Sequence, residues 1–339
     1  MAEAFIQLPR DDRADILQAG AERLARRAQI LEKDVWVCWT LARLFSIPDR
    51  PLMAFKGGTS LSKVYGVIDR FSEDIDVTLD YRTLVAVPDP FDAQLSKTQL
   101  RKLGEKLKAA LRTHSHERIV PFLREAMRST GAEGTVEVSD DGEKVRLHYP
   151  SALMERDAYI TESVLLELGG RNITEPNEEK EVRPYLADCG FELVDFESAA
   201  VDVLSPARTF WEKATLAHAE CNRNEVRANA HRLSRHWYDL AQLADHEIGR
   251  SALSNRALLE DVVKHKQVFF SSSFARYDAC LEGALRLLPD GDALGALRRD
   301  YEDMRAAGMF SGNAPQFDSI AERLARLEQE INSAVELVG

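Results

Sequence analysis

The chain predicts an α+β fold, a small mixed sheet followed by a C-terminal helical bundle, on three observations. Short apolar runs next to glycine turns lie at Leu52–Phe55 and Val164–Leu168. The segment Asp74–Leu79 alternates polar and apolar residues over a strand-like length. From Ser205 onward the apolar residues recur almost wholly at helical spacing.

The elements follow in chain order. Residues from Met1 to about Ile47 read as helical, with Leu17, Ala21, Leu24, Ala28 and Leu31 on one apolar stripe. Within them, Val35 to Phe45 is the most apolar stretch and is too short to span a bilayer. The run Leu52–Phe55 reads as a strand entering a tight turn at Gly57-Gly58, and Leu61, Val64, Tyr65 and Ile68 continue it as a helix. A basic helical insertion occupies residues 97–128. Further strands are expected at Val145–Tyr149, at Val164–Leu168 and near Glu181–Leu186, with a turn at Thr174-Glu175-Pro176-Asn177. Ser205-Pro206 is a helix start, a capping serine followed by proline at the first helical position. The last helix, Asp318 to Val338, carries Ile320, Leu324, Leu327, Ile331 and Val335 on one stripe. This divides the chain into an α/β domain, 1–204, and a helical domain, 205–339.

With 339 residues, 45% of them hydrophobic, the chain is long enough for two or three subdomains and is not of disordered type. Cys38, Cys189, Cys221 and Cys280 show no Cys-x-x-Cys spacing, so neither a zinc site nor a disulfide framework is indicated. The N-terminus has early acids and no signal-peptide core, which points to a soluble cytoplasmic protein without a membrane partner. A net charge of −12 argues against indiscriminate nucleic-acid binding. Local charge differs: nine Lys or Arg stand against three Glu between Lys97 and Arg128, and four Arg against Glu225 between Arg223 and Arg235. Such faces suit a phosphate backbone, although charge runs on helices also arise as solvated faces.

The Gly57-Gly58-Thr59 turn lets backbone approach a ligand closely, and the N–H groups that open the next helix favour phosphate oxygens. Taken alone, it is equally an ordinary strand-to-helix turn capped by Thr59 or Ser60. The acids add to it. By alternation Asp74 and Asp76 share one sheet face and Ile75 and Val77 the other, while Glu73 points away from the pair. Adjacent carboxylates repel, and a hard dication such as magnesium offsets them. Glu167, the single charge in an apolar strand, is the candidate third ligand; Arg171 at the strand end is the alternative partner for it.

A glycine turn, an Asp-x-Asp and an acid on a later strand form the plan of the polymerase-beta-like nucleotidyltransferases, which this chain resembles. More narrowly it resembles the AbiEii/AbiGii nucleotidyltransferase toxins of bacterial type IV toxin-antitoxin, abortive-infection systems. The matching words are Glu32-Lys33-Asp34, Lys56-Gly57-Gly58-Thr59, Arg70 to Asp76, Val164 to Gly169, Arg208 to Lys213, Arg235 to Leu240, and Asp300-Tyr301 with Met304. The spacing from Gly58 to Asp74 exceeds the wider superfamily's pattern but fits this family. The family's lysine and aspartate motifs fall on Lys213 and Asp239.

From the residues alone, Lys213 reads either as a phosphate-reaching ammonium or as a solvated helix lysine, and Asp239 reads as a surface acid pairing with Arg235. The resemblance assigns both to the site. It implies nucleotidyl transfer from a nucleoside triphosphate, with two magnesium (or manganese) ions about 3.5–4 Å apart on Asp74, Asp76 and Glu167. It assigns the triphosphate to Lys56, Gly57, Gly58, Thr59, Ser60 and Lys213. It also implies an RNA acceptor, in some relatives the acceptor end of tRNA, and a cognate antitoxin encoded nearby; a monomer is the default. Two rival classes remain at this point: a non-catalytic RNA-binding regulator, and a metal-dependent sugar-nucleotide transferase. The latter class lacks the short Gly-Gly-Thr to Asp-x-Asp spacing.

Overall fold

A computed structural model describes residues 2–72, 74–92, 94–154, 160–223, 232–310 and 312–336. Glu73, most of the Arg223–Arg235 run and the Val335 side chain lie outside the described residues. Two compact units are present: Met1–Val64 with Ser72–Pro88 and Lys97–Leu204, and Tyr65–Phe71 with Asp89–Ser96 and Ser205–Gly339.

In the first unit the elements run β1 (Glu3–Ala4), α1 (Arg10–Leu24), α2 (Ala28–Phe45), β2 (Met53–Lys56), α3 (Gly57–Lys63), β3 (Asp74–Asp80) and α4 (Tyr81–Leu84). They continue with α5 (Lys97–His114), α6 (Val120–Ser129), β4 (Thr135–Val138), β5 (Lys144–His148), β6 (Ser163–Asn172), β7 (Asn177–Val182), β8 (Val194–Asp195) and β9 (Ala199–Leu204). Seven strands form one mixed sheet in the order β4-β5-β6-β3-β2-β9-β7. The pairs β3/β6 and β2/β9 are parallel and the others antiparallel. This is the expected mixed sheet, wider than the sequence runs alone indicate.

The N-terminal stripe is interrupted. Ala25 adopts a left-handed conformation and Arg27 an extended one, so α1 and α2 are separate helices. No glycine or proline marks the break; Leu17 and Leu31 meet instead in one cluster with Phe5 and Leu186. The helix α3 is shorter than expected and stops at Lys63, before Tyr65 and Ile68. Gly66, at φ +60°, takes the left-handed conformation that commonly follows a helix end. The strand expected near Glu181–Leu186 is β7, displaced toward the N-terminus, because Pro184 cannot donate to a ladder and leads into a short 3-10 turn. The strands β4 and β9 are additional to those that the sequence predicts. The latter, AAVDVL, buries Ala199, Val201 and Val203 and pairs with both β2 and β7.

In the second unit the elements are α7 (Pro206–Cys221), α8 (Arg235–Asp245), α9 (Glu247–Ser254), α10 (Arg256–Phe269), α11 (Gly291–Ala306) and α12 (Phe317–Glu336). Pro206 opens α7 as expected, but the Ser205 side chain caps nothing. Instead Trp211 and Trp237 are buried, and their indole N–H groups donate to the Ala252 and Leu287 carbonyls at 3.2 and 2.6 Å. Ile320, Leu324, Leu327 and Ile331 are the buried stripe of α12. Among the described residues, no helix is long and apolar enough to cross a membrane.

Candidate active site

Strand β2 delivers the chain to Gly57, whose φ of +79° is rarely open to other residues. A Cβ there would also collide with the Asp76 carboxylate, so glycine is required for space as well as for conformation. Two residues on, the Thr59 hydroxyl donates to the Asp74 carbonyl at 2.6 Å and lies 3.0 Å from the Ser72 hydroxyl. Ser60 donates to the Gly57 carbonyl at 3.0 Å. Neither hydroxyl caps α3, whose N-terminal N–H groups have no side-chain cap. The glycine turn is thereby tied to the acid strand: Gly57 lies under Asp76, and Thr59 holds the backbone at Asp74.

Along β3, Ile75 and Val77 are buried while Asp74 and Asp76 are half-exposed, as the alternation requires. Strand β6 places Glu167 opposite Asp76. In a parallel pair such partners lie on the same face, with strands about 4.8 Å apart. Asp74, Asp76 and Glu167 therefore share one face of the sheet. The partner of Glu167 is Lys144 on β5, 3.1 Å away, and Arg171 is instead 3.9 Å from Glu143. Among the described residues, no three Asp, Glu, His or Cys side chains converge into a group that could hold a metal ion. Three carboxylates on one face nonetheless offer the hard oxygen donors that suit magnesium.

In α2, Glu32, Lys33 and Asp34 are all buried, and each holds a different segment. Glu32 accepts from the Ser151 hydroxyl and the Ala152 N–H, both at 2.6 Å. Lys33 donates to the Thr161 carbonyl at 3.2 Å. Asp34 accepts from the Tyr185 N–H at 2.7 Å and pairs with Lys63, the last residue of α3. Burial would lower the Lys63 ammonium, but Asp34 outweighs it and holds it above its ordinary value. A buried charge needs such pairing, so this sequence word is structural support for the helix after the glycine turn.

Lys213 and Asp239 lie in the second unit and meet there: Lys213 Nζ is 2.8 Å from Asp239 Oδ2. Both are buried, so neither is the solvated residue that its sequence context allowed. Nor is Asp239 held by Arg235; Arg70 grips it in a two-pronged bond, Nε to Oδ1 at 2.6 Å and Nη2 to Oδ2 at 2.7 Å. Burial pushes the Asp239 carboxyl up, but Arg70 and Lys213 prevail and hold it well below the usual carboxylate range. Burial lowers the Lys213 ammonium against the pull of Asp239. His236, 3.4 Å from Lys213 Nζ through Nδ1, is kept neutral by burial and by the Lys213 and Arg235 charges. Its Nδ1 is thus free to accept from the ammonium. Just before α8, both oxygens of Asp300 accept backbone N–H groups, from Arg232 at 2.6 Å and Ser234 at 2.7 Å. This places an anion at the N-terminus of the helix that carries His236 and Asp239.

Arg70, Asp300 and Glu32-Lys33-Asp34 stand in the family words without a role assigned from sequence, and Lys144 falls in none of those words. Only the polarity of Lys144 at the start of a strand, in line with an acid on the next strand, could have flagged it.

The basic insertion, α5 and α6, exposes all nine of its Lys and Arg residues. Lys97, Lys102, Lys108 and Arg112 make no ion pair or side-chain hydrogen bond among the described residues. This helix does not lie on the acid face. Gly170 shares the buried side of β6 with Leu166 and Leu168, and a Cβ there would press on Leu84 and on Leu111 of α5. Glu167 points the other way by alternation.

A glycine turn into a short helix, an Asp-x-Asp strand beside it and a neighbouring strand acid on the same face give the fold of a nucleotidyltransferase. Residues 39–323 match the family described as nucleotidyl transferase AbiEii toxin, type IV TA system, and the chain belongs to that family. No curated protein matches it.

Proposed function

We propose that the chain is a magnesium-dependent nucleotidyltransferase that moves a nucleoside monophosphate from a nucleoside triphosphate to RNA, with the 3′ end of tRNA as a candidate acceptor, and that it acts as the toxin of a phage-defence system kept in check by its cognate antitoxin. The observation that carries this reading is the alignment of Glu167 with Asp76 across adjacent strands, with Gly57 beneath the Asp76 carboxylate.

Asp74, Asp76 and Glu167 hold the metal ions in this reading. Bound there, magnesium lowers the pKa of the attacking hydroxyl and offsets charge on the departing pyrophosphate. Glu167 accepts the hydroxyl proton. Lys56 and the backbone N–H groups of Gly57, Gly58, Thr59 and Ser60 take the triphosphate oxygens; the Thr59 and Ser60 hydroxyls are already engaged within the turn. Lys213 takes the triphosphate role that the family pattern gives it, and Asp239 orients its ammonium at 2.8 Å. Catalysis of this kind is chiefly positioning and charge neutralisation. The exposed cations of α5 support a polyanionic acceptor.

The test is incubation of purified protein with total RNA, magnesium and each labelled nucleoside triphosphate in turn. Label is expected to enter RNA with the intact protein and not with Asp76→Ala. If no nucleotide labels RNA under any metal condition, the proposal is wrong.

A further inference from the structure

One row of charged residues crosses four strands of the sheet. Lys144 on β5 is opposite Glu167 on β6, Glu167 is opposite Asp76 on β3, and Asp76 is opposite Lys56 on β2. The signs run plus, minus, minus, plus. Like charges directly opposite each other on neighbouring strands are unfavourable, so the two carboxylates at the centre require cations.

Lys144 meets that requirement for Glu167, with Nζ 3.1 Å from Oε1. The pairing is built into the sheet: β5 and β6 are in register here, and the Leu168 N–H donates to the Glu143 carbonyl at 2.7 Å. It is also loose, since the Lys144 side chain is 60% exposed and that of Glu167 31%. An exposed ammonium on a flexible stem makes a single-point contact that solvent screens. An arginine in its place would fork both carboxylate oxygens and hold them harder.

We infer that Lys144 is a displaceable counter-ion of Glu167, which keeps the third carboxylate neutralised until a dication recruits it to Asp74 and Asp76. This rests on the metal-binding role proposed for the three acids. Lysine at this position makes the site self-limiting: the ammonium and the dication compete for the same Glu167 oxygens, and the lysine yields because its bond is single and solvated. No covalent step is involved; the ammonium returns to water when it leaves.

The probe is Mn2+, titrated into the protein without nucleotide and followed through the electron paramagnetic resonance signal of the free ion. Lys144→Gln is expected to tighten Mn2+ binding about two- to fivefold, the scale of one exposed ion pair. Lys144→Arg is expected to bind no more tightly than the intact protein. In a Glu167→Gln background the Lys144→Gln gain should vanish, because there is no carboxylate left to compete for. A gain that persists in that background reports only the general field of a lost positive charge and overturns the inference. Unchanged affinity in Lys144→Gln, with Mn2+ binding still abolished by Asp76→Asn, overturns the inference alone. An intact protein that binds Mn2+ no better than Asp76→Asn overturns both this inference and the metal site on which it rests.

Discussion

Arg70 and Asp239 stand 169 residues apart in the chain and meet in a buried two-pronged ion pair, 2.6 and 2.7 Å long. Lys213 adds a third bond to the same carboxylate at 2.8 Å. The cluster carries two cations against one anion, so Asp239 is firmly ionised and its geometry is set from two sides. Through it the segment Tyr65–Phe71 is part of the helical unit, an attachment extended by the Phe71 N–H bond to the Met309 carbonyl at 2.6 Å.

Arg70→Ala should destabilise the protein by about 3 kcal/mol, because one partner of a buried pair is lost while the carboxylate stays buried. Arg70→Lys should recover only part of that, since one ammonium cannot reproduce the fork. Urea unfolding of the two variants measures both effects; equal stability of Arg70→Ala and the parent would mean that Lys213 alone satisfies Asp239.

Gly57→Ala should slow the proposed transfer far more than an alanine in an ordinary turn. The added methyl meets the Asp76 carboxylate, and the backbone at φ +79° resists any non-glycine residue. On the proposed reading Asp76 is a metal ligand, and displacing it by about 1 Å costs on the order of a hundredfold in rate. The labelled-nucleotide assay reads it, and normal activity in the Gly57→Ala variant would dissociate Asp76 from the chemistry.

The legibility of the site in sequence divides along the range of the interactions. The turn, the Asp-x-Asp alternation and the lone strand acid are local patterns, and each sits where its spacing puts it. What local pattern misses is pairing at a distance: Lys144 for Glu167, Arg70 for Asp239, Asp34 for Lys63. Spacing within one helix favoured Arg235 as the partner of Asp239, whereas a buried carboxylate took the fork that tertiary folding brought to it. The break at Ala25 has the same origin, since no local signal marks it and packing of Leu17 and Leu31 around Phe5 decides it. The end of α3 is different in kind, because Gly66 is a local stop signal that the apolar spacing of Tyr65 and Ile68 masked.

Asp34 and Lys63 should behave as a unit. Asp34→Leu alone leaves the Lys63 ammonium buried over the Tyr185 ring, 3.9 Å from its centroid, without its carboxylate. The expected cost is about 3–5 kcal/mol. Asp34→Leu with Lys63→Met removes both charges and should cost far less than the single change, because no desolvated charge remains. Urea unfolding of the two single variants and the double variant closes the cycle; additive losses would show that the two charges do not interact.

His218 should make stability fall on the acid side of neutrality. Its Nδ1 accepts from the Arg286 N–H at 2.9 Å while its Nε2 faces the Arg276 carbonyl at 3.0 Å, an arrangement that suits the neutral ring with the proton on Nε2. Burial, with the Arg276 and Arg286 charges, lowers its pKa against the one hydrogen bond that raises it. The sign follows from linkage: the unfolded chain takes up a proton near pH 6.5 while the folded protein resists it. Stability from this group is therefore complete above that pH and declines as pH falls through it toward the lowered folded value. The slope cannot exceed about 1.4 kcal/mol per pH unit for the single ring. His236, lowered well below its ordinary value, adds to the same slope, so the two must be separated. Unfolding measured from pH 8 to pH 5 should be flatter in His218→Asn than in the parent, and flatter again when His236→Asn is added. An undiminished slope in His218→Asn would mean that protonation of His218 costs the fold nothing and that the Arg286 N–H finds another acceptor.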